Sequence, residues 1–325
     1  MQPAATLPPR RLLVIRNPTA GRRHPRVFDA VLARVRAAGL AVDVVDTEAR
    51  GDAERLARDA DAGRYDAVVA AGGDGTINEV VNGLMSRPSD DVALGIIALG
   101  TANVLAREIG VGTRVDVLAA ALTQGDPAPV MVGKLTEASG VDSYFLLMVG
   151  AGFDAHVVAG VDTDLKRRFG KGAYVWRSLV EMARYRNRRY RVVIDGKPHD
   201  AASAVVSNGR FYGGAFVVAP AADLRRPILS VCLFERGGRL QVMRYGAALV
   251  TGRLPTARGY RVIEATQVRI ESDDQSPAAG IEPVQVDGDH TTALPVIVTV
   301  APRRLRLLMP FPSPREGGEK VARSA

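Results

Sequence analysis

Apolar and polar residues follow two different periods along the first 125 residues of the chain. Short apolar runs predict buried strands, and each is followed by a segment whose apolar residues recur every three or four positions, the helical period. The predicted strands are 12–16, 41–47, 66–73 and 93–100, and the predicted helices are 26–39, 52–63, 77–85, 102–110 and 114–125. Strands that alternate with helices predict a doubly wound parallel sheet with covered faces.

The pattern changes after about residue 127, where short strand-like runs separated by turns replace the alternation. The runs are 130–137, 143–150, 190–195, 203–208, 215–220, 229–235, 261–272 and 296–302, with helical patterns near 153–161, 171–186 and 239–251. Many short strands with turn signals between them predict an antiparallel β-sandwich. We therefore expect an α/β domain over 11–127, a β-rich domain over 128–310, and flexible tails at 1–10 and 311–325.

Composition narrows the class of protein. The chain has 325 residues, 47% hydrophobic and 24% charged, which is typical of a globular protein with room for one large core or two moderate ones. The single cysteine, Cys232, excludes an intramolecular disulfide and suits a reducing cytoplasm. No apolar run approaches the length of a membrane-spanning helix, so we expect any membrane to be met from outside. The formal net charge of +8 would attract nucleic acid, anionic lipid or phosphate-bearing ligands.

The sequence GGDGT (72–76) stands where a predicted strand gives way to a helix. Glycines there let the backbone approach a ligand, and the helix N-terminus favours an anion. Asp74 would repel a phosphate unless Mg²⁺ lay between them, because carboxylate and phosphate oxygens are its preferred ligands. The turn therefore indicates a nucleotide site with metal, although a purely structural turn is the alternative. The chain has no GxxxxGK[ST] loop, so it is not a P-loop enzyme.

Other polar turns follow the neighbouring predicted strands. LGTAN (99–103) follows the fourth strand, Thr47 follows the second, and NPTAGRR (17–23) follows the first. In NPTAGRR, Asn17 and Gly21 could add donors, and Arg22 and Arg23 could add positive charge. Ligands of open α/β sheets bind beyond the carboxyl ends of the strands, so these turns would line one crevice.

Six motifs in order along the chain identify a resemblance. They are NPTAG, GGDGTINEVVNGL, LGTAN, GAGFDA, SNGR and VDGD. Over residues 11–310 the chain resembles the diacylglycerol-kinase catalytic-domain family, and most closely its bacterial lipid kinases, which are related to sphingosine and ceramide kinases. GGDGT alone is shared with NAD kinases and phosphofructokinases, whereas GGDGTINEVVNGL followed by GTAN is specific to the lipid-kinase branch.

The resemblance implies an N-terminal nucleotide domain of the NAD-kinase and phosphofructokinase type, a C-terminal β-sandwich domain with the lipid site near the cleft, and transfer of the γ-phosphate of ATP to a lipid hydroxyl. It implies a general base at Asp289, with Asp287 beside it, and a metal ligand at Asp74 that binds Mg²⁺ with the ATP phosphates. Asn103 would lie in the shell around them. By position, the ATP contacts implied are Asn17, Thr47, Gly72, Gly73, Asp74, Gly75, Thr76, Ile77, Asn78 and Thr101.

The chain departs from the family pattern at three places. The family usually has glutamate where this chain has Asp289, so either the loop lies closer or a water relays the proton. Val104 replaces an aspartate that often follows the GTxN motif. Arg226 and Pro227 replace an aspartate–glycine pair that helps to bind a structural Mg²⁺. We expect Arg226 to replace the charge of that ion by pairing with a nearby carboxylate such as Asp223.

Residues 166–191 are basic and carry interleaved aromatic side chains. A helix with a solvated basic face is one reading, and docking to an anionic membrane surface is another. No nucleic-acid-binding signature is present, so we expect no nucleic-acid partner. The predicted location is the cytoplasm, peripheral to the inner face of the membrane. Two alternatives to a lipid kinase stay open: a soluble-substrate kinase such as an NAD kinase, and a catalytically weak regulator that binds nucleotide or lipid.

Overall fold

The computed structural model describes residues 10–20, 25–89, 91–152, 155, 189–273 and 282–310. The first part of the chain alternates between strands and helices, as predicted. Its elements are β1 (Arg11–Arg16), α1 (Pro25–Ala37), β2 (Ala41–Asp46), α2 (Asp52–Arg58), β3 (Ala67–Gly72), α3 (Asp74–Met85), β4 (Ala93–Ala98), α4 (Val104–Glu108), α5 (Val115–Thr123) and β5 (Pro127–Val130).

The second part of the chain is mostly β-structure. Its elements are β6 (Gly133–Glu137), β7 (Asp142–Phe145), β8 (Met148–Ala151), β9 (Tyr190–Ile194), β10 (Lys197–Ala201), β11 (Ser203–Ser207), β12 (Phe211–Tyr212), β13 (Phe216–Val217), β14 (Leu229–Phe234), α6 (Arg239–Val250), a 3₁₀ turn (Leu254–Thr256), β15 (Tyr260–Ala265), β16 (Gln267–Ser272), β17 (Pro283–Val286), β18 (Asp289–Ala293), β19 (Val296–Val300) and β20 (Leu305–Leu308).

The first sheet has the order β2-β1-β3-β4-β20-β5 and is parallel from β2 to β20. Strands β3 and β4 are buried along their whole length, because α1 and α5 pack together as one layer and α2 and α3 as another. This confirms the predicted parallel sheet. The chain also returns to this sheet, since β20 pairs with β4 and with β5. Residues 305–308, expected in the second domain, thus complete the first sheet.

The second unit is the predicted antiparallel sandwich. One sheet has the order β10-β9-β16-β19-β6-β7 and the other the order β15-β14-β11-β8-β17-β18. Alternate residues of both sheets, such as Val192 and Val268 from one and Val206 and Val231 from the other, form a shared apolar core. The period of two along each strand produces this core, because successive side chains point to opposite faces.

Two of the predicted strand runs are each divided between the two sheets. The run 143–150 forms β7 in one sheet and β8 in the other, and the run 261–272 forms β15 and β16 in the same way. The chain changes sheets at Leu146 and Leu147, which are both buried. This crossing between sheets leaves backbone amides that a strand ladder does not satisfy, and a side chain described below satisfies them.

The helix predicted over 239–251 is present as α6. Apart from Ala155 and Arg10, the described residues do not include the helical patterns at 153–161 and 171–186, the basic stretch 166–188 or the two predicted tails. Within the described ranges, no helix combines the length and apolar composition needed to cross a bilayer.

Candidate functional site

Four of the predicted polar turns lie side by side at the carboxyl edge of the first sheet. Strands β2, β1, β3 and β4 are consecutive neighbours in the sheet, so Thr47, Asn17, GGDGT and LGTAN follow adjacent strands. Thr47 is half-buried and Thr101 is exposed. The other residues expected from NPTAGRR, namely Gly21, Arg22 and Arg23, lie outside the described residues. The structure therefore brings the described candidates into one row, whereas their contact with a nucleotide stays a prediction.

The glycines allow two of these turns to touch. A Cβ atom placed on Gly100 would lie 2.6 Å from the Cα atom of Gly73, and one on Gly72 would overlap the Thr76 side chain. The amide of Leu99 also donates to the Gly72 carbonyl at 2.8 Å. Side chains at these positions would push the turns apart. The glycines are therefore required for packing, in addition to the close backbone approach that they would allow to a ligand.

Asp74 stands at the first position of α3 and its carboxylate reaches across to the next turn. Its Oδ1 atom accepts hydrogen bonds from the amides of Val104, at 2.8 Å, and Leu105, at 3.4 Å. It thereby caps the N-terminus of α4. Burial raises the pKa of Asp74, and the amides of Leu105 and Val104 oppose that shift. The capping role of Asp74 was not predicted from the sequence. The family often has aspartate at position 104, and here Val104 takes part in the site through its backbone amide, which donates to Asp74.

Asn103 carries a buried polar atom whose capacity to accept a hydrogen bond is unused within the described ranges. Its backbone is left-handed, with φ of 48°, and its Nδ2 atom donates to the Gly100 carbonyl at 2.9 Å. Its Oδ1 atom is buried and, among the described residues, has no hydrogen-bond partner. A buried acceptor of this kind is normally satisfied by water, a donor or a cation. This atom, Asp74 and the glycine turns provide oxygen ligands and a cradle, which fit a metal-bound phosphate.

Asn17 joins the end of β1 to the GGDGT turn. Its backbone amide donates to the Ala71 carbonyl at 3.0 Å, and its Nδ2 atom donates to Thr76 Oγ1 at 3.3 Å. Its Oδ1 atom accepts from the Thr19 hydroxyl at 2.8 Å. Asn17 therefore fixes the side chain of Thr76, which is itself buried.

Helix α3 also holds the second unit against the first through two asparagines one turn apart. Asn78 Nδ2 donates to the Tyr144 carbonyl at 3.0 Å and to Asp287 Oδ2 at 3.1 Å. Asn82 binds both backbone groups of Tyr144: its Oδ1 accepts from the amide at 2.8 Å and its Nδ2 donates to the carbonyl at 2.9 Å. Asn82 was not predicted as a functional residue, although its position four residues after Asn78 on an apolar helix was a usable signal.

Asp287 is the buried acceptor at the point where the chain changes sheets. Its carboxylate accepts from the amides of Leu146 at 3.0 Å, Leu147 at 2.9 Å and Met148 at 2.8 Å, in addition to Asn78. Burial raises the pKa of Asp287 to about 6, against the opposing effect of these four donors. Asp287 thus links α3, the crossing between sheets and its own turn, in which it has φ of 48°.

The turn fixed by Asp287 carries Asp289 to the glycine turn of the other unit. A Cβ atom on Gly75 would lie 2.8 Å from Asp289 Oδ2. The carboxylate predicted as a base is therefore in contact with the motif predicted to hold the phosphates, although the two are more than two hundred residues apart in sequence. The shorter side chain of aspartate reaches the turn directly in this arrangement.

Arg226 pairs with a carboxylate, as expected, but its partner is Glu264 and not Asp223. Arg226 pairs with Glu264 at 2.5 Å, whereas Asp223 pairs with Arg225 at 3.0 Å. Glu264 is on β15, at the edge of its sheet opposite to β18, which carries Asp289. The ion pair is exposed and lies at that edge, so Arg226 is not part of the candidate site.

Comparisons with known proteins identify relatives of both units of the chain. Residues 11–135 match the diacylglycerol kinase catalytic domain, and residues 147–309 match the YegS C-terminal NAD kinase beta sandwich-like domain. A diacylglycerol kinase of Bacillus subtilis is 27% identical over 309 residues, 93% of this chain and 97% of that protein. A protein of Pseudomonas aeruginosa named probable lipid kinase YegS-like is 30% identical over 309 residues, with 93% and 95% covered.

The fold has also been observed in a crystal. A diacylglycerol kinase from Bacillus anthracis superposes with a TM-score of 0.73 at 23% identity, over 94% of this chain and 98% of that one. This likeness concerns the fold. The two domain matches and the 30% identity to the Pseudomonas aeruginosa protein show that the chain belongs to the diacylglycerol kinase catalytic domain family, a family of kinases, and the resemblance noted in the sequence is confirmed.

Proposed function

We propose that the protein is a lipid kinase that uses ATP and Mg²⁺ to phosphorylate a hydroxyl group of diacylglycerol, ceramide or a sphingoid base. The observation that carries this proposal is the contact between Asp289 of the second unit and Gly75 of the glycine turn. It brings a carboxylate suited to accept a proton next to a turn suited to hold phosphates.

The nucleotide would be bound by the row of strand-end turns. Asn17, Thr47 and Thr101 provide polar side chains there. The N-cap residue of α3 is Gly73, so no N-cap side chain binds the first backbone amides of the helix. Asp74 and the Asn103 oxygen, which has no partner in the part of the chain that the structure describes, are the oxygen ligands that would hold Mg²⁺. When bound, the ion would neutralise charge that develops on the transferred phosphoryl group.

Asp289 would take the proton of the lipid hydroxyl as that oxygen bonds to the γ-phosphorus. The bond between the γ-phosphorus and the β,γ-bridging oxygen breaks, and ADP leaves with the electron pair. Because Asp289 lies at Gly75, the acceptor oxygen would approach the phosphates from the side of the sandwich. General-base catalysis of this kind contributes roughly 10²- to 10⁴-fold to rate.

The junction made by Asn78, Asn82 and Asp287 supports the same mechanism. It fixes the turn that carries Asp289 relative to α3, whose first residues form the phosphate turn. A small error in the position of a base reduces the rate strongly, so a rigid junction favours transfer to the lipid.

Names of relatives support a lipid acceptor. The Bacillus subtilis relative is named as a diacylglycerol kinase and the Pseudomonas aeruginosa relative as a probable lipid kinase. The match of the second unit to an NAD kinase-like sandwich concerns its fold. We therefore rank a lipid hydroxyl above NAD as the acceptor.

The test is transfer of labelled γ-phosphate from ATP, with Mg²⁺, to micellar diacylglycerol, ceramide, sphingosine and phosphatidylglycerol, with NAD as the soluble acceptor. We expect label in one lipid class. Asp289→Asn should lower kcat by about 10²- to 10⁴-fold with little change in ATP binding. Asp200→Asn, at an exposed position on β10, is the matched control and should keep full activity.

Asp74→Asn separates the two roles of Asp74. Asparagine retains an oxygen that can accept from the Val104 amide, so the fold should be preserved, whereas the Mg²⁺ dependence of ATP binding should weaken. Label in NAD alone would contradict the lipid assignment. ATP binding without transfer to any acceptor would replace the kinase with a regulator.

A further inference from the structure

Helix α6 exposes a stripe of apolar side chains to solvent. In α6, which lies wholly in the described part of the chain, only Tyr245 is buried. Its exposed face carries Leu240, 62% exposed, Met243, 56% exposed, and Val250, 67% exposed. Exposed Ala247 completes the spacing of three, four and three residues, so the four form one stripe along the helix. A helix on the surface of a globular protein normally turns such a stripe inward.

The opposite face of α6 already holds the helix on the protein. Tyr245 packs edge-on against Phe234, with ring centroids 5.1 Å apart, and its hydroxyl donates to the Gly259 carbonyl at 2.6 Å. The outward stripe is therefore not needed to attach α6 to the sandwich.

Arginines border this stripe. At 100° per residue, Arg239 and Arg244 project on either side of it. Arg236, Arg253 and Arg258 lie beyond the two ends of α6 and are exposed. Residues 236–258 contain these five arginines and no aspartate, glutamate or lysine. The surface therefore combines an apolar centre with a border of arginines, in a stretch of sequence that contains no acidic residue.

From this combination we infer that α6 docks the protein on an anionic lipid bilayer, with Leu240, Met243 and Val250 among the acyl chains and the arginines at the phosphate groups. Amphipathic helices with a basic border bind such interfaces by burial of apolar area and by attraction to anionic lipids. A second copy of the chain fits less well, because it would bring two sets of arginines together.

The docked helix is also connected to the candidate site. It packs against β13, which pairs with β12, and β12 packs against α4. Glu108 of α4 is nearly buried and accepts from Arg210 Nε at 3.0 Å and from the Phe211 amide at 3.2 Å, just before and in β12. A bilayer under α6 would thus lie against the same part of the sandwich that adjoins the LGTAN turn. The inference deepens the proposed function, and rests on it for its purpose, because a lipid kinase must meet its substrate at a bilayer.

Vesicle binding by the full chain tests the inference without kinase activity. The probe is co-sedimentation with vesicles of phosphatidylcholine, alone or mixed with phosphatidylglycerol. We expect binding to the mixed vesicles that weakens with salt. Met243→Ser should reduce it about tenfold, because an apolar anchor is lost. Arg244→Gln should reduce it about fivefold, the equivalent of one arginine at an anionic surface.

The control is Val141→Ser, which removes an apolar side chain that is 58% exposed on a turn of the sandwich, against 56% for Met243. Equal binding by the Met243→Ser and Val141→Ser proteins would overturn the inference. So would a change of oligomeric mass in Met243→Ser without a change in vesicle binding, since α6 would then cover a second copy.

The outcome is separable from that of the proposed function. Binding through α6 with no lipid phosphorylation would refute the kinase proposal and leave the docking surface. Phosphorylation of dispersed short-chain lipid with unchanged vesicle binding by Met243→Ser would refute the docking surface alone.

Discussion

Helices α3 and α6 have twelve residues each, and they use their surfaces in opposite ways. Helix α3 buries seven residues, and its asparagines bind the second unit. Helix α6 buries only Tyr245 and exposes Leu240, Met243 and Val250. We infer from this difference that an apolar stripe on a helix marks an interface, and that the residues bordering the stripe decide whether its partner is the same chain. Charge provides the distinction here, because arginines border the stripe of α6.

The largest effect on this comparison should come from breaking the junction of α3. Asp287→Ala removes the acceptor of three buried backbone amides and of Asn78. Each buried donor left unsatisfied costs about 1–3 kcal/mol, so we expect a loss of about 3–5 kcal/mol once water has entered. Urea unfolding followed by circular dichroism measures the change.

Asp195→Ala is a matched control for Asp287→Ala. Asp195 also precedes glycine in a left-handed turn, with φ of 44°, and accepts from the amide of Gln267 at 2.9 Å, but it is exposed. It should cost only about 1 kcal/mol, because water can replace its contacts. Similar losses in the two variants would mean that the junction is no more than a surface turn.

The pH dependence of stability tests the same junction, with a slightly smaller expected effect on the free energy of unfolding. Burial raises the pKa of Asp287 from 3.8 to about 6, so the folded protein holds this proton more tightly than the unfolded chain. The protonated Asp287 side chain stabilises the folded state fully below about pH 4. As the pH rises through 6 this contribution to the free energy of unfolding is lost, and it amounts to about 3 kcal/mol. The unfolding free energy of the native protein relative to Asp287→Asn should fall accordingly. A rise with pH would mean that the four donors outweigh burial.

The sequence predicted the features of these helices that depend on local periodicity, but not those that depend on contacts between distant residues. Periodicity predicted α3 from residue 77 and α6 from residue 239, against observed starts at Asp74 and Arg239. The start of α3 was placed late because GGDGT was interpreted as a turn, whereas Asp74 and the next two residues form the first helical turn.

Contacts between distant residues carried no such signal. The run 143–150 is almost entirely apolar after Ser143, so nothing in its pattern indicates that the chain changes sheets within it or that Asp287 would satisfy the crossing. The partner of Arg226 was wrong for a related reason: Asp223 is near in sequence, but Glu264 is brought beside Arg226 by the neighbouring strand. A role for Asp289 across the cleft from Asp74 was implied by family resemblance, whereas its contact with Gly75 was indicated by no local pattern.

Glycine substitutions compare the two helices directly. A Cβ atom on Gly83 of α3 would overlap the Glu54 carbonyl oxygen and lie 2.8 Å from Ala57 Cβ and 3.0 Å from the Arg58 amide. Helix α2 would have to move, so Gly83→Ala should destabilise the protein by about 1–3 kcal/mol. Thermal unfolding gives the value, and an unchanged midpoint would show that α2 and α3 are loosely packed.

The same substitution on α6 should have the opposite sign and the smallest effect. Gly246 is exposed, and a Cβ atom on it would have no neighbour within 4 Å among the described residues. Alanine restricts the unfolded chain and favours the helix by about 1 kcal/mol over glycine, so Gly246→Ala should raise the thermal midpoint. Because Gly246 lies beside the stripe rather than in it, vesicle binding should be retained in the stabilised protein. A lowered midpoint would mean that the exposed face of α6 is packed against part of this chain, and the contrast with α3 would then disappear.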